Sequence, residues 1–525
     1  MVVESNLERE FKFDVDPEFR SPDLEKVAGG VRALPEQRLV TTYYDTSTLR
    51  LWALGITLRF REEGSPTPAA GTRESARRRG PAVGKWTLKL PALTTATAPT
   101  TDAASADRWE LTWKAAGARV PDGATEVIRG IIRTETLGPV VVLAAARRRW
   151  LLQEGDLPPW AEVDDDLVEV ISGKRQGLTF RQLELELLAA GSDPPSPRVE
   201  AVLERLRRAG AREGGGSKFA LAAGLDERDS TRAAPAATLG ATLAHILAAD
   251  AQRWLEADFR LRVPGTDGDQ GRPPPEVVGL AFDAVARWRA HLAAFGPALD
   301  RSWAQPMRAD LRHLAGVLGR LRAEDAVVGR VEARRDARAP DETADLLALL
   351  NADRHLSALD LMETLSSDSY LAMLERMDRS QEALPAGAGA DDPARRGLRS
   401  ALRRSWRRSR RAIRRLGPVA PGRAAARALR VAHTAEACSP VLGRRAERLA
   451  VVAHAAAATL TDLDDTRSAI DELHQLASHP SMTPGVAFVA GRVTGRLEAE
   501  SIDLGRRAER DAHRLARHRS ADWLR

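Results

Sequence analysis

Residues 7–13 read LEREFKF. At a period of two, Glu8, Glu10 and Lys12 share one face of a strand, and Leu7, Arg9, Phe11 and Phe13 share the other. Arg9 is the odd member of an otherwise apolar side. Taken alone, such a segment reads as a half-buried antiparallel strand with a wet face. The same pattern recurs down the first 190 residues, however. In GITLRFRE, Thr57, Arg59 and Arg61 oppose Ile56, Leu58 and Phe60. In GKWTLKLP, Lys85, Thr87 and Lys89 oppose Trp86, Leu88 and Leu90. DRWELTW sets Arg108 and Glu110 against Trp109, Leu111 and Trp113, and RQLELELL sets Glu184 and Glu186 against Leu183, Leu185 and Leu187. In ARRRWLL the phase is hidden, so either Arg147 and Arg149 or Arg148 alone belongs to the charged side.

A solvent face mixes Ser, Thr, Gln and Lys, whereas this one carries Arg-x-Arg, Lys and paired Glu-x-Glu. A closed antiparallel barrel accommodates the set by turning its apolar sides outward against helices and its charged sides inward around a ligand. Many cations with a few carboxylates in one cavity suit a polyanion plus a divalent metal. Basic groups neutralise phosphate oxygens, and carboxylates hold a hard cation. No Walker-type glycine loop is evident, so side chains must hold any phosphates.

Glu8, Glu10 and Lys12 form the ExExK signature that opens CYTH domains, the triphosphate tunnel metalloenzymes. Later blocks follow in the family's order: YYDTSTLRLWALGITLRFR, WTLKLP, RWELTW, AEVDDD, FRQLELELL and SKFAL. Residues 1–222 resemble this family on those grounds. The resemblance implies a tunnel of antiparallel strands that binds a triphosphate. It makes Glu8, Glu10, Glu184 and Glu186 metal-side carboxylates for Mg²⁺ or Mn²⁺, with an acid of the VDDD run, taken as Asp165, as a further one. Lys12, Arg59, Arg61, Lys89 and one of Arg147 or Arg149 correspond to phosphate-binding cations. Glu110 corresponds to a tunnel acid and Lys218 to a lysine near the domain end. Glu8, Glu10, Lys12 and Glu110 are the expected catalytic set, and Lys85 and Arg108 have the parity of lining residues.

Working outward, the full chain has 525 residues, 43% hydrophobic and 29% charged, with a net charge of +6, which fits soluble protein of more than one domain. One cysteine, Cys438, excludes an internal disulfide and a thiolate metal site. The first residues lack a basic n-region and an apolar h-region, and no span is long enough for a membrane helix, so a cytoplasmic location without membrane partners is expected. Only seven lysines occur, at 12, 26, 85, 89, 114, 174 and 218, so 72 of the 79 basic side chains are Arg. That excess, like the abundance of Ala, fits a GC-rich genome. It makes the surviving lysines in patterned strands the more informative cations.

Period two gives way to period 3.6 after residue 236, with a linker over 223–235. Two low-complexity stretches, 64–84 and 91–107, read as loops or insertions. A small-and-polar break near 385–395 divides the helical half. The segment LRSALRRSWRRSRRAIRRLG places Leu398, Leu402, Trp406, Ile413 and Leu416 in one stripe and covers the rest with Arg. Residues 391–450 hold 17 Arg against the acids Asp391, Asp392, Glu436 and Glu447. This is either a polyanion-binding face or a solvated one. No DNA-reading motif accompanies it, so nucleic acid is not the expected partner.

The helical half resembles a CHAD domain, an all-helical module of two four-helix repeats that often follows a CYTH domain. FGPALDRSWAQPMRADLRHLAGVLGRLRAEDAV, CSPVLGRRAERLA and LTDLDDTRSAID carry the likeness. The family's two histidines fall on Gly279 and Gly422. Arg287, Arg289, Arg427 and Arg430 persist as candidate polyphosphate-binding positions, while neighbouring basic positions read Phe282, Ala286, Leu429 and Ala432. The histidines actually present are scattered and read as packed or surface residues.

The expected whole is an α+β chain: an antiparallel barrel, then an all-α domain. The expected activity is metal-dependent hydrolysis of inorganic triphosphate, or of a related triphosphate such as ATP or thiamine triphosphate, beside a helical module for polyphosphate. The rivals are a class IV-type adenylate cyclase sharing the tunnel and a non-catalytic polyphosphate scaffold.

Overall fold

The alternation that opens the chain becomes β1 (Glu4–Val15), the first of eight strands that close on themselves. β2 (Val31–Asp45), β3 (Thr57–Glu62), β4 (Val83–Pro91), β5 (Arg108–Ala116), β6 (Gly138–Leu152), β7 (Ala161–Ser172) and β8 (Thr179–Leu187) follow. Hydrogen bonding runs in the order β5-β4-β3-β2-β6-β7-β8-β1, and β1 pairs back to β5. Two-residue β9 (Arg212–Glu213) lies against β1. The computed structural model describes residues 4–62, 83–91, 108–188, 197–214, 216–225, 237–263, 272–335, 338–416, 419–476, 479–480, 482–517 and 521–524. Most of the two low-complexity stretches and most of the expected linker lie outside these ranges.

Directly opposed residues of an antiparallel pair share a face. The register therefore carries the charged parity around the barrel. Glu8 opposes Arg108, Glu10 opposes Glu186, and Lys12 opposes Glu184. Glu184 opposes Asp164, Asp164 opposes Arg149, and Asp166 opposes Arg147. Tyr43 opposes Arg59, and Lys89 opposes Glu110.

The other parity is apolar and faces out. Phe11, Phe13, Val163, Leu183 and Leu185 pack beneath Val199, Val202, Leu203 and Leu206 of a covering helix (α4, below). Turning those strands over would expose side chains whose burial contributes about 1.5–3 kcal/mol each, which fixes the charged face inside. Four helical segments come before and after the last strands: α1 (Glu25–Ala28), α2 (Asp122–Val127), α3 (Arg129–Ile132) and α4 (Pro197–Arg208). A fifth, α5 (Lys218–Ala223), stoppers one end of the barrel. There the inner face turns apolar at Tyr43, Val141, Leu143, Val168 and Val170, and Phe219, Ala222 and Ala223 pack on it. Asp45, from the YYD block, is an anchor for a turn: its carboxylate accepts from the backbone N–H of Thr46, Leu51 and Trp52.

The chain divides into two compact units, Met1–Thr231 and Arg232–Arg525. The second is all helical: α6 (Leu239–Arg262), α7 (Pro275–Ala294), α8 (Arg301–Glu332), α9 (Pro340–Ser366), α10 (Asp368–Glu382), α11 (Ala394–Leu416), α12 (Pro421–Leu442), α13 (Arg444–Leu476) and α14 (Pro484–Ala516). Helices α6–α9 and α11–α14 form the two sets of four. The short α10, which periodicity alone did not separate, fills the position before the break. The sets pack across each other in matched order, α12 on α7, α13 on α8 and α14 on α9. On α11, Leu398, Leu402, Trp406 and Ile413 are buried as the stripe requires. No helix among the described residues is long and apolar enough to cross a membrane.

Candidate functional site

Inside the barrel the strands set cations and carboxylates at contact distance. Lys89 Nζ donates to Glu8 at 2.5 Å and stands 3.8 Å from Glu10. Lys12 Nζ lies 2.7 Å from Glu10 and 3.7 Å from Glu184. Arg59 donates to Glu110 at 3.2 Å. Arg147 grips Asp166 with two bonds of 2.7 and 2.6 Å, pairs with Asp164, and approaches Glu184 at 3.7 Å. Arg149 donates to Glu162 at 2.5 Å. Lys218, at the start of α5, reaches Glu184 at 2.6 Å and Asp166 at 3.0 Å.

Both Arg147 and Arg149 therefore lie on the inner side, and Arg148 is the outward member of the run, pairing with Glu36 at 3.6 Å. Every predicted tunnel residue lies on the inward parity except Asp165. It opposes Leu183 on the outer parity, and Arg181 binds its carboxylate through bonds of 2.8 and 2.7 Å. The inward acids of the VDDD run are Asp164 and Asp166, with Glu162 before them. The signal for this was present: Ala161 and Val163 are the apolar partners in the alternation, so residue 165 continues their face. Tyr43 was also missed. Burial opposes ionisation of its hydroxyl, but Arg59, Lys218 and Arg61 together lower its pKa.

Two neighbourhoods of opposite character result. Burial works against charged Glu10, yet Lys89 and Lys12 outweigh it and hold the carboxyl at about 2. Glu184 is buried as well, and Lys218, Lys12 and Arg147 hold it well below the usual carboxylate range. Lys218 loses solvation but is pushed up to about 12 by Glu184 and Asp166. Arg61 goes the other way: burial, Arg59 and Arg147 drive it down to about 10. It forms no ion pair among the described residues, and its Nε has no hydrogen-bond partner.

Glu186 is the acidic counterpart. Burial and the carboxylates of Glu8, Glu110 and Glu10 push it up to about 7, against the pull of Lys89. Asp164 is pushed up to about 8 by burial and by Asp166, Glu162 and Glu184, despite Arg147, and its buried Oδ1 has no hydrogen-bond partner, Arg149 Nε standing 3.9 Å away. Glu8, Glu10 and Glu186 are hard oxygen donors crowded against each other, a donor set that fits Mg²⁺ or Mn²⁺. Glu184 is drawn instead to Lys218 and Lys12. Among the described residues, no three tunnel carboxylates gather their oxygens at one point; ammonium groups hold them apart.

The raised Glu186 gives a pH prediction. Between its ordinary value of 4.5 and about 7 the folded barrel keeps a proton that the unfolded chain has released. Stability from this group therefore falls as pH rises through that window, by up to about 3 kcal/mol. Without divalent ions, Glu186→Gln is expected to flatten the decline in hydrogen-exchange protection of β8 over this range. An unchanged decline would place the proton elsewhere.

In the helical unit the four candidate arginines separate. Arg287 is neutralised by Glu436 at 2.6 Å and Asp283 at 3.5 Å. Arg289, Arg427 and Arg430 have no ion pair among the described residues. Burial, with the nearby charges of Arg427, Arg289 and Arg408, lowers the pKa of Arg430. Gly422 has a steric cause. Its N–H donates to Asp464 Oδ1 at 2.8 Å, and a Cβ there would come within 2.2 Å of Asp464 Oδ2. A side chain there would require the Asp464 carboxylate to move and give up its bond to the Gly422 N–H. At Gly279 the corresponding space is open.

Residues 245–474 match the family model of the CHAD domain, and the helical unit carries that domain. Two uncharacterized proteins of Mycobacterium tuberculosis, from strains CDC 1551 and H37Rv, are each 30% identical over 229 residues, covering 41% of this chain and 40% of the relative. The match thus spans about 40% of the length of those relatives. Similar solved structures include PptA from Streptomyces chartreusis, at 21% identity over 53% of this chain and 100% of that one, with a TM-score of 0.39. The CHAD domain from the plant Ricinus communis is 17% identical over 55% of this chain and 96% of that one, with a TM-score of 0.42. A putative adenylyl cyclase from Hippeastrum, described as having a dominant triphosphatase activity, is 17% identical over 42% of this chain and 97% of that one, with a TM-score of 0.25.

Proposed function

We propose that the barrel binds a linear triphosphate and hydrolyses it with the help of Mg²⁺ or Mn²⁺, inorganic triphosphate being the first candidate substrate. The observation that carries this reading is Arg61, a half-buried guanidinium crowded by Arg59 and Arg147, with no carboxylate in ion-pair contact among the described residues and only the more distant charge of Asp166 to offset them. An anion bound between Arg59, Arg61 and Arg147 would relieve that repulsion. Glu186 stands in the opposite situation, an acid in need of a cation.

The residues divide the work accordingly. Arg59, Arg61 and Arg147 spread positive charge over phosphate oxygens, where charge develops as a phosphoryl group is transferred. Tyr43, drawn to Arg59, fixes the orientation of that guanidinium. Lys12 and Lys89 each neutralise a carboxylate and would offer a bound phosphate chain their remaining N–H donors. Asp164, holding its proton near neutrality, can donate a hydrogen bond where the other acids accept. Glu8, Glu10 and Glu186 would hold the divalent ion, which supplies charge neutralisation and a polarised water. The plug of α5 keeps one end apolar and positions Lys218 against Glu184 and Asp166.

The test is phosphate release from tripolyphosphate, ATP and thiamine triphosphate, each with and without Mg²⁺ or Mn²⁺. Metal-dependent release, fastest from tripolyphosphate, is expected. Cyclic AMP from ATP would replace hydrolysis by cyclisation. Binding without turnover of any substrate would make the barrel a sensor. For the helical unit we propose weak polyphosphate binding through Arg289, Arg427 and Arg430, with Arg287 and the Gly422 position withdrawn by Glu436 and Asp464.

A further inference from the structure

Outside the barrel, one group of metal-type ligands converges among the described residues. His433 and Glu436 of α12 and His454 of α13 bring one ligand atom each to within 4.8 Å of one another. His454 Nε2 lies 2.6 Å from Glu436 Oε1, and the two imidazole rings stand 5.4 Å apart at 72°. His433 Nδ1 is 3.6 Å from Glu436 Oε2, and its Nε2 is 3.3 Å from Asp283 Oδ1 on α7. The sequence conceals this group because its members come from two helices, α12 and α13, with the neighbouring Asp283 on a third. Only the i,i+3 pair His433 and Glu436 is local, and it shares one face of α12.

Three features separate the cluster from ordinary packing. His433 has no exposed surface, yet neither ring nitrogen meets hydrogen-bond geometry with a partner. Its nitrogens face the Asp283 and Glu436 carboxylates at 3.3 and 3.6 Å without that geometry, an arrangement that a shared cation would complete. His454 and Glu436 are each about a third exposed, at 36% and 35%, so an ion has a route in. Two carboxylates, Asp283 and Glu436, face the rings against the single guanidinium of Arg287, so the pocket offers counter-charge to a cation. The α12 backbone is also braced here: His291 Nε2 lies 3.1 Å from the His433 carbonyl, and its Nδ1 lies 2.6 Å from Asp250.

We propose that His433, Glu436 and His454 form a binding site for a borderline first-row divalent ion of the zinc type, with Asp283 beside the fourth position. Two imidazoles with carboxylate suit zinc, and are a poor match for Mg²⁺, which prefers oxygen ligands. The ion would tie α7, α12 and α13 together. It is separate from the hard-cation chemistry proposed for the barrel and does not depend on it.

The test uses the full chain, freed of metal and held in excess Mg²⁺ to occupy the oxygen-donor sites. Zinc titrated calorimetrically is expected to bind at one equivalent, and cobalt(II) at the same site to give the intense visible absorption of four-coordinate nitrogen–oxygen ligation. His454→Gln and Glu436→Gln are each expected to weaken zinc binding by about tenfold or more. Zinc should raise the thermal midpoint of the native chain but not of His454→Gln. His454 is partly exposed, so its variant folds, and far-UV circular dichroism checks that. Zinc affinity unchanged in His454→Gln, or no saturable equivalent in the native chain, would overturn the proposal and leave an ion-pair network of His, Glu, Asp and Arg.

Discussion

Replacing Arg147 by glutamine is expected to destabilise the barrel by about 3–5 kcal/mol at neutral pH, the usual cost of removing one partner from a buried charge cluster. The guanidinium is only 12% exposed and touches Asp164, Asp166 and Glu184. Without it, Asp166 is left with Lys218, and Glu184 with Lys218 and Lys12. Both of these acids are now held below their ordinary values, by Lys218 and Arg147 among others, despite burial. Depressed carboxylates stabilise the fold above their unfolded pKa, and that contribution disappears as pH falls through the folded value. In the variant their folded values rise, so the penalty must shrink on acidification as the acids take up protons. Hydrogen-exchange protection of β6 and β7 amides reads this for the barrel separately from the helical unit. Arg148→Gln is the control. Its pair with Glu36 is exposed, at 64% and 50%, and is worth no more than about 1 kcal/mol. Equal effects for the two arginines would mean that the inward cluster does not hold the wall together.

The contrast between neighbouring arginines shows where the sequence is legible. The strands of the barrel announce themselves because each alternates large apolar side chains with charge. Burial of Phe11, Phe13, Leu183 and Leu185 then decides which side faces in. Where three like residues follow one another, alternation says nothing. Phase must then come from the flanks, as Ala161 and Val163 could have supplied it for the acidic run. Without that step the family likeness points to Asp165, which the register turns outward opposite Leu183. Tyr43 escaped for another reason: a buried aromatic on a strand resembles core, and only its position opposite Arg59 gives the hydroxyl a role. In the helical unit, periodicity recovers the buried stripe of α11, but it does not recover what helices bring together over long sequence separations. The Asp464 carboxylate at Gly422 and the approach of His454 to Glu436 are of that kind.

Glu10→Gln, and likewise Glu8→Gln, is expected to lower metal-dependent hydrolysis of tripolyphosphate by about 10²- to 10³-fold, the scale seen when one preorganised charge-stabilising group is removed. Glutamine preserves the shape and a hydrogen-bonding oxygen but removes the charge that both Lys89 and the divalent ion need. Lys89 stands 2.5 Å from Glu8, and Lys12 stands 2.7 Å from Glu10. Each ammonium thus occupies the carboxylate that would bind the ion. Bound metal and triphosphate would offer each group a new partner: Glu8 and Glu10 would hold the ion, and Lys12 and Lys89 would face phosphate oxygens. If the acids act through the ion, the loss appears in kcat/KM and is partly recovered by raising its concentration. If they only position Lys12 and Lys89, added metal recovers nothing, and Lys89→Met reproduces the defect. Asp165→Asn, on the outer wall against Arg181, is expected to leave turnover unchanged while weakening that largely buried ion pair. Turnover that survives Glu8→Gln and Glu10→Gln but fails in Asp165→Asn would reverse the assignment of faces. That outcome conflicts with the whole register of the barrel, which makes the pair of measurements a test of the fold as well as of the chemistry.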